Sequence, residues 1–580
     1  MIVGLLPWRS HRKPPTDNPP LTSGAGRGIL RGAEDRFVLR RAKPEGREAW
    51  MDPPFDILIR HGRVLDGTGN PWFYADIGLR GDRIAAVGSL PDATAVREID
   101  ATGYFVCPGF IDLHTHSDLM LLTHPTAEAK IMQGVTTEVI GHDGLSYAPV
   151  NDESLDFFRR VCAAINGNPD LDYNWRSVEE FLARFDGQVS PNVAFLIPHG
   201  PVRMTAMGRA DRRPTEGEVK RMLALVDQGM REGALGFSTG LSYAPCSHAE
   251  AQELIALCRR SAHYGGFFAP HLRSYGKTVV ESIQEALYIC EQSGCPLHLT
   301  HYQAVFPVNE HKAPLFVALV EEARGRGLQV TTDSYPYAAG STYILGFFPT
   351  WVQALEKPQW MDLLADPHER EKLRVAVEVE GCDGSHGVPI DWSKAQISGL
   401  GGHVGLEWIG RRVAEVAQEL GQTPFDLVCD LLRANEGRVS CVYFGGYEPA
   451  VRLLSRPPWH AVGSDGILVG DRPHPRGWGC FARFLGRYVR ELGLLTWEEA
   501  VRQMTGFAAQ VLGLPDRGLL KPGFAADLTL FDPATVLDTA TFEEPRQYPQ
   551  GIPYVIVNGQ LVKDGGVHTG ARPGRVLRRV

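Results

Sequence analysis

Two histidines one residue apart, His114 and His116 in "PGFIDLHTHSD", are the first candidates for chemistry. They follow an apolar run that predicts a β-strand. Side chains at positions i and i+2 of a strand point to the same side. The two imidazoles therefore leave the strand together and can bind one divalent metal ion.

Further histidines and carboxylates lie just after other apolar runs, far away along the chain. The candidate metal ligands beyond the first pair are Asp143, His271, His301 and Asp465. His199 ends another run in "IPHG" and is expected to support the site rather than bind metal. His298 precedes His301 by three residues and is expected to face away from it.

Such a metal site would lower the pKa of a bound water and polarise a carbonyl oxygen. Asp465, in "GSDG", could take the proton from that water and return it to a leaving nitrogen. The expected reaction is hydrolysis of an amide or a related C–N bond. The alternatives are that His271 and His301 are packing residues and that Asp465 caps a turn.

A shared site requires elements that bring these residues to one place. Strand-like apolar runs alternate with helical patterns, which predicts parallel strands. We count eight runs, which predicts an α/β fold with a (β/α)8 TIM-like barrel whose strands end at a common rim. They are "FVCPGFIDLHTH", "TTEVIGHDG", "NVAFLIPHG", "GALGFSTG", "GGFFAPHLRS", "PLHLTHYQ", "LQVTTDSYPY" and "HAVGSDG".

The remaining segments surround this barrel. Residues 55–108 and 516–580 are β-rich and are expected to pair into one small β-sandwich, with the barrel at 109–515. The long gap before "HAVGSDG" predicts a lid-like insertion at about residues 340–400. Residues 1–54, rich in Arg, Pro and Gly, are expected to form a disordered extension or, alternatively, a targeting or interaction arm.

The bulk composition narrows the possible partners and location. The net charge of −9 favours neither nucleic acid nor an anionic membrane as a partner. The ten cysteines show no close framework, which favours a reducing, cytoplasmic location. No apolar run reaches the length of a transmembrane helix. The expected partner is a small-molecule substrate, and a homo-oligomer stays possible.

By these motifs the chain from about Asp56 to Arg579 resembles the amidohydrolase superfamily and, within it, the N-acyl-D-amino-acid deacylases. The resemblance implies a barrel with a small β-sandwich, zinc, and removal of an N-acyl group from a D-amino acid. The matching segments are "PGFIDLHTHSD", "GVTTEVIGHDGLSYAP", "REGALGFSTGLSYAP", "PHLRSYG", "LTHYQ", "DSYPYAAGST", "GSDG", "HPRGWG" and "DRGLLKPGFAADLTLFDP".

The resemblance also implies roles for single residues. His114 and His116 match one half of a binuclear site, and the other half matches His271 and His301. Asp465 matches the catalytic acid/base, which can also touch metal. The same motifs imply that Arg476 grips the substrate carboxylate and that Tyr335 contacts substrate, and a guanidinium fork suits a carboxylate well.

Two departures from the family pattern concern the metal and the substrate. Asp143 in "GHDG" stands where the family has a zinc-binding Cys, so the site could bind zinc differently, accept other divalent ions or hold one ion instead of two. A bulge would make His142 the ligand instead. Gln303 stands where the family often has Lys, which weakens assignment to acidic D-amino acids.

Three functions compete on the sequence alone. The first is a metal-dependent hydrolase of N-acyl-D-amino acids or related amides. The second is another amidohydrolase activity: a cyclic amidase, lactonase, dipeptidase or deaminase. The third is a non-catalytic barrel that acts as a binding module, although a scaffold has no need of four such histidines and Asp465.

Overall fold

The computed structural model describes residues 54–402 and 404–579. The predicted extension at residues 1–54 therefore lies almost wholly outside the described residues. No helix within the described ranges is long and apolar enough to cross a membrane.

The strands fall into a terminal sheet, a barrel and a small inserted sheet. In chain order they are β1 (Phe55–Val64), β2 (Phe73–Arg80), β3 (Arg83–Gly88), β4 (Ala95–Asp100), β5 (Phe105–Pro108), β6 (Phe110–Asp112), β7 (Thr115–His116), β8 (Val135–Ile140), β9 (Asn192–Pro198), β10 (Gly236–Gly240), β11 (Phe267–His271), β12 (Leu297–Leu299), β13 (Val330–Ser334), β14 (Gly340–Tyr343), β15 (Ala395–Leu400), β16 (Val439–Tyr443), β17 (His460–Val462), β18 (Gly466–Ile467), β19 (Leu528–Phe531), β20 (Tyr554–Val557), β21 (Gln560–Asp564) and β22 (Val567–His568).

The α-helices lie mostly between the barrel strands and in the insertion. In chain order they are α1 (Met120–Thr123), α2 (Glu128–Ile131), α3 (Asp152–Val161), α4 (Ala163–Asn166), α5 (Val178–Leu182), α6 (His199–Met207), α7 (Glu216–Arg231), α8 (Ala251–His263), α9 (Val279–Ser293), α10 (Ala313–Gly325), α11 (Thr350–Gln353), α12 (Lys357–Leu363), α13 (Pro367–Arg374), α14 (Val413–Leu420), α15 (Pro424–Ala434), α16 (Glu448–Leu454), α17 (Arg476–Arg483), α18 (Trp497–Met504) and α19 (Gly506–Leu512).

Eight parallel strands form the barrel wall in the order β6, β8, β9, β10, β11, β12, β13 and β17. Each belongs to one of the eight predicted runs. Strands β8 to β11 are buried at every position, as expected where helices cover one face and the barrel interior the other. Beyond β6 and β17, the short strands β7 and β18 pair in parallel and draw the first and last units together.

The helix α7 shows how local sequence sets the outer layer. Thr215 and Glu218 form a capping box that satisfies the free N–H groups at its start. Met222, Val226 and Met230 recur every four residues and are buried, so one stripe of the helix packs inward.

The two ends of the chain meet in one sheet. Its order is β22, β21, β20, β19, β5, β1, β2 and β3, with β4 beside β1. The junction is the antiparallel pairing of β5 with β19, which aligns Val106 with Leu530. Alternating residues of both ends, such as Ile57, Ile77 and Leu528, share one apolar core. This pairing of the chain ends agrees with the sequence prediction.

Between β13 and β17 lies an insertion with its own core. Its sheet has the order β14, β16, β15, and all pairings are antiparallel. The central strand, β16, comes last in the chain. The inserted unit therefore continues past the expected end near residue 400 and includes α14 and α15, which pack into the same core.

Candidate active site

The first cluster of candidate metal ligands lies where β7 and β18 meet at the barrel rim. It consists of His114, His116, Asp143 and Asp465, and all four are buried. Nε2 of His116 lies 3.2 Å from Oδ1 of Asp465 and 3.4 Å from Oδ2 of Asp143. Nε2 of His114 lies 3.7 Å from each carboxylate. Four donor atoms thus face one small space.

The second cluster shares a residue with the first. It consists of Asp143, His271 and His301, which are also buried. Oδ2 of Asp143 lies 3.6 Å from Nδ1 of His271 and 3.5 Å from Nε2 of His301. The two imidazole nitrogens are 3.0 Å apart. Asp143 therefore stands between two pairs of histidines and can serve both.

The turn after β8 delivers Asp143 to this position. Gly141 has φ 84°, and a Cβ there would lie 2.2 Å from the Leu196 carbonyl oxygen, so the turn requires glycine. Asp143 itself has φ 55°, a left-handed conformation that Asp tolerates better than most residues. His142, the alternative ligand, lies outside both clusters: its ring stacks on that of His114, with centroids 4.0 Å apart.

The electrostatics of the clusters favour a cation. Burial opposes charge on both His114 and Asp143. The carboxylates of Asp143 and Asp333 nevertheless raise the pKa of His114 well above its usual range. The histidines in turn lower the pKa of Asp143 well below its usual range. Both ring nitrogens of His114 and Oδ1 of Asp143 are buried, with no hydrogen-bond partner among the described residues. Such nitrogen and oxygen donors fit a divalent metal ion, which would replace protons.

Hydrogen bonds from outside orient the histidines of the second cluster. Ser242 Oγ lies 2.8 Å from Nε2 of His271, and the Tyr275 hydroxyl lies 2.8 Å from Nδ1 of His301. In each case the other ring nitrogen faces Asp143. Partners of this kind fix the ring orientation of metal-binding histidines.

Asp333, at the end of β13, contacts one histidine of each cluster. Its Oδ1 accepts a hydrogen bond from the backbone N–H of His301 at 2.7 Å, and its Oδ2 lies 3.6 Å from Nδ1 of His114. His298 contacts Oδ2 at 3.0 Å and joins neither cluster. The sequence analysis did not select Asp333, Ser242 or Tyr275, although Asp333 ends a strand as the selected residues do.

A buried ion pair lies beneath Asp465. Lys130 Nζ is 2.6 Å from Oδ2 of Asp112, and neither side chain is exposed. Asp112 also accepts hydrogen bonds from the Ser464 N–H and hydroxyl, at 2.8 and 2.6 Å. The Asp465 N–H donates to the His114 carbonyl at 2.7 Å. The loop that carries Asp465 is therefore fixed to the strand that carries His114.

The three predicted substrate contacts lie together in the cavity above the clusters. Arg476, the first residue of α17, places Nη1 2.8 Å from Oδ2 of Asp465. Its guanidinium lies over the Tyr335 ring, 4.4 Å from the centroid. Gln303 Nε2 donates to the Tyr335 carbonyl at 3.3 Å. All three line one cavity with His116, His271 and His301.

His199, by contrast, lies in a separate buried network. Its ring nitrogens are 2.9 Å from Thr239 Oγ1 and 2.9 Å from Glu253 Oε1. Glu253 also pairs with Arg203. Within the described ranges, His199 makes no hydrogen bond to a member of either cluster.

The insertion supplies the far side of the cavity, which sequence reasoning did not resolve. Its contributions are Gly340, Ser341, Thr342, Gly346, Phe347, Gly384, His386, Tyr443 and Gly445. Burial, with repulsion from His271 and His301, lowers the pKa of His386 to about 3. The cavity encloses about 140 Å³. The insertion between β13 and β17 thus forms one side of this cavity.

Known proteins are similar to this chain in both sequence and architecture. Residues 97–563 match the amidohydrolase family. The D-aminoacylase of Alcaligenes xylosoxydans xylosoxydans is 36% identical over 535 residues, or 91% of this chain and 98% of that enzyme. A crystal structure of D-aminoacylase has a TM-score of 0.76 at 35% identity and covers 91% of this chain and 100% of its own. This likeness confirms the predicted barrel with its β-sandwich.

A second solved relative contains metal. The N-acyl-D-glutamate deacylase from Bordetella bronchiseptica has a TM-score of 0.76 at 34% identity, covering 91% of this chain and 100% of its own. It was crystallised with zinc and a phosphonate inhibitor that mimics the tetrahedral intermediate of its reaction.

Proposed function

The chain belongs to the amidohydrolase family, as its motifs predicted, and from that membership we propose that it hydrolyses the amide bond of N-acyl-D-amino acids. One observation carries the proposal. Arg476, a cation suited to a carboxylate, lies 2.8 Å from Asp465 inside the cavity that His116, His271 and His301 also line. A carboxylate-binding group and a general base thus stand side by side next to the candidate metal ligands.

The residues divide the work as follows. Divalent ions bound by the two clusters would supply Lewis acidity and lower the pKa of a bound water. Asp465, held as a carboxylate by Arg476 and His116, accepts a proton from the nucleophile and returns it to the leaving amine. Arg476 and Tyr335 bind the substrate α-carboxylate and orient the amide toward Asp465.

We propose a neutral rather than acidic side chain for the substrate. Among the residues that line the cavity, Arg476 is the one with a permanent positive charge. Its charge is committed to Asp465 and to the α-carboxylate. Gln303 is neutral and faces the same space, so a second carboxylate would be desolvated without a counter-ion.

We propose zinc as the metal, in one or two ions. The donors are four imidazoles and two carboxylates, a set that zinc binds readily. Asp143 belongs to both clusters, which supports two ions with a shared ligand. Because its oxygen is harder than a thiolate, other divalent ions can compete at this site.

We also propose that the enzyme works in the cytoplasm. All ten cysteines are free, and nine of them are buried. Unpaired thiols in this number are typical of proteins from a reducing compartment.

A substrate panel tests the proposed activity. Purified protein is incubated with N-acetyl derivatives of D-leucine, L-leucine and D-glutamate, with and without a chelator, and the free amino acid is measured. We expect release of D-leucine and much less release of the other two amino acids. The chelator should abolish activity, and added zinc should restore it. No release from any acyl-D-amino acid would refute the proposal.

A further inference from the structure

His386 is an imidazole that the insertion brings into the cavity and that no role described so far uses. It lies in the loop between α13 and β15 and lines the cavity beside His271 and Tyr275. Its ring centroid is 6.4 Å from that of His271, 5.7 Å from Tyr275 and 5.9 Å from Phe306. The ring thus stands next to the second cluster.

The loop is built at some conformational cost to hold this residue. His386 has φ 60°, which is uncommon outside glycine. Gly384 can carry no side chain, because a Cβ there would lie 1.9 Å from the Phe348 carbonyl oxygen. Strained backbone persists where surrounding contacts fix it and often marks a functional position.

Contacts from the barrel fix the loop. The His386 carbonyl accepts hydrogen bonds from the Lys277 N–H at 3.0 Å and from the Ser274 hydroxyl at 3.2 Å. Gly276 permits this approach, since a Cβ there would lie 2.3 Å from the same carbonyl oxygen. The insertion is therefore attached to the loop after β11 at His386 itself.

The ring nitrogens of His386 have no hydrogen-bond partner among the residues that the structure describes. Nδ1 of His386 is buried and makes no hydrogen bond with any residue that the structure describes. A buried polar atom without a partner is costly and calls for an explanation. No substrate atom can reach the buried Nδ1. Nε2 of the same ring is not buried and makes no hydrogen bond with a described residue either, so a polar group on a bound substrate can bond to it.

The position of His386 within the cavity indicates which part of the substrate lies next to it. Arg476 contacts Asp465 and Tyr335, whereas His386 contacts His271, Tyr275 and Phe306, so the two lie at different sides of the clusters. If the α-carboxylate binds Arg476 and the amide lies over the clusters, the acyl group extends toward His386. We propose that His386 is a specificity-determining residue that hydrogen-bonds a polar atom of the acyl group. This inference rests on the proposed function.

Two nearly isosteric substrates test it. N-glycolyl-D-leucine carries a hydroxyl where N-propionyl-D-leucine carries a methyl group. We expect the wild type to prefer the glycolyl substrate by about tenfold in kcat/KM, the effect of one hydrogen bond that would otherwise stay unmade. His386→Gly, which suits the positive φ, should lower this ratio to about one while propionyl cleavage continues. His386→Asn, which keeps a donor and an acceptor, should retain part of the preference.

The control is His368→Asn, at an exposed histidine on α13 of the same insertion, which should keep the wild-type ratio. A wild type that cleaves both substrates equally, or a His386→Gly variant that keeps the full preference, would overturn the inference and leave the proposed function intact. A wild type that cleaves neither substrate would refute the proposed function and this inference with it.

Discussion

The guanidinium of Arg476, the proposed substrate anchor, lies 2.8 Å from the carboxylate of Asp465, the proposed general base. Burial alone would raise the pKa of Asp465. Arg476, with His116 and His114, outweighs that effect and lowers the pKa below its usual range. If Arg476 binds the substrate carboxylate as proposed, that binding and the ionisation of Asp465 are coupled through one side chain.

Removal of Arg476 should affect substrates with a free carboxylate most. For Arg476→Met we expect kcat/KM for N-acetyl-D-leucine to fall by about ten- to a hundredfold, the range for a lost hydrogen bond to a charged group. The relative loss should be smaller for N-acetyl-D-leucinamide, which has no carboxylate to bind. Steady-state kinetics on both substrates measure this difference. Equal losses would show that Arg476 does not bind the carboxylate.

The same variant should change the pH dependence. Without the cation, Asp465 is easier to protonate, so its pKa rises. Asp465 can accept a proton only while it is ionised. The acidic limb of the kcat/KM profile for N-acetyl-D-leucinamide should therefore move to higher pH in Arg476→Met. An unchanged limb would mean that the limb does not report Asp465.

Loss of the base should be severe without emptying the metal site. For Asp465→Asn we expect turnover to fall by at least about a hundredfold, the usual scale for a general acid/base. The histidines and Asp143 remain, so metal per chain, measured by elemental analysis, should stay nearly unchanged. Turnover near the wild-type value would refute the role given to Asp465.

Asp143 belongs to both clusters, so its removal should empty both. Asp143→Ala is expected to lower bound metal per chain below that of a variant lacking one histidine, such as His271→Asn. Asp143→Cys should retain metal and bind zinc more tightly, because a thiolate is the softer ligand. Elemental analysis after dialysis against graded zinc measures both effects. Full metal content in Asp143→Ala would exclude Asp143 as a ligand.

The buried pair beneath Asp465 should be important for stability. Lys130→Met leaves Asp112 charged and unpaired, with no exposure to solvent. Loss of one partner of such a pair costs about 3–5 kcal/mol, so the unfolding temperature should fall clearly. The double variant Lys130→Met/Asp112→Leu should recover only part of the lost stability, because Ser464 still loses its hydrogen-bond acceptor. A single variant as stable as the wild type would contradict this account.

The sequence could predict the clusters because one rule places them. Parallel strands end at a common rim, so residues that end the runs, such as His116, His271 and Asp465, must converge. The same rule would have selected Asp333, but its role is visible only from its bonds to His301 and His298.

The strand-end rule could not predict Ser242, Tyr275 or His386, because none of them ends a barrel strand. Ser242 and Tyr275 act from loops, whose paths depend on packing rather than on a periodic pattern. His386 reaches the cavity because its carbonyl meets Lys277 and Ser274 across more than a hundred positions. Nothing in the local sequence "GSHG" predicts that contact.

The bond between the Asp465 N–H and the His114 carbonyl has a consequence for biosynthesis. A nascent polypeptide on the ribosome acquires its paired imidazoles early and its proton acceptor only when translation has passed residue 465. A chain that ends before residue 465 therefore lacks both this bond and the proposed proton acceptor, so the site cannot be completed until that residue has been made.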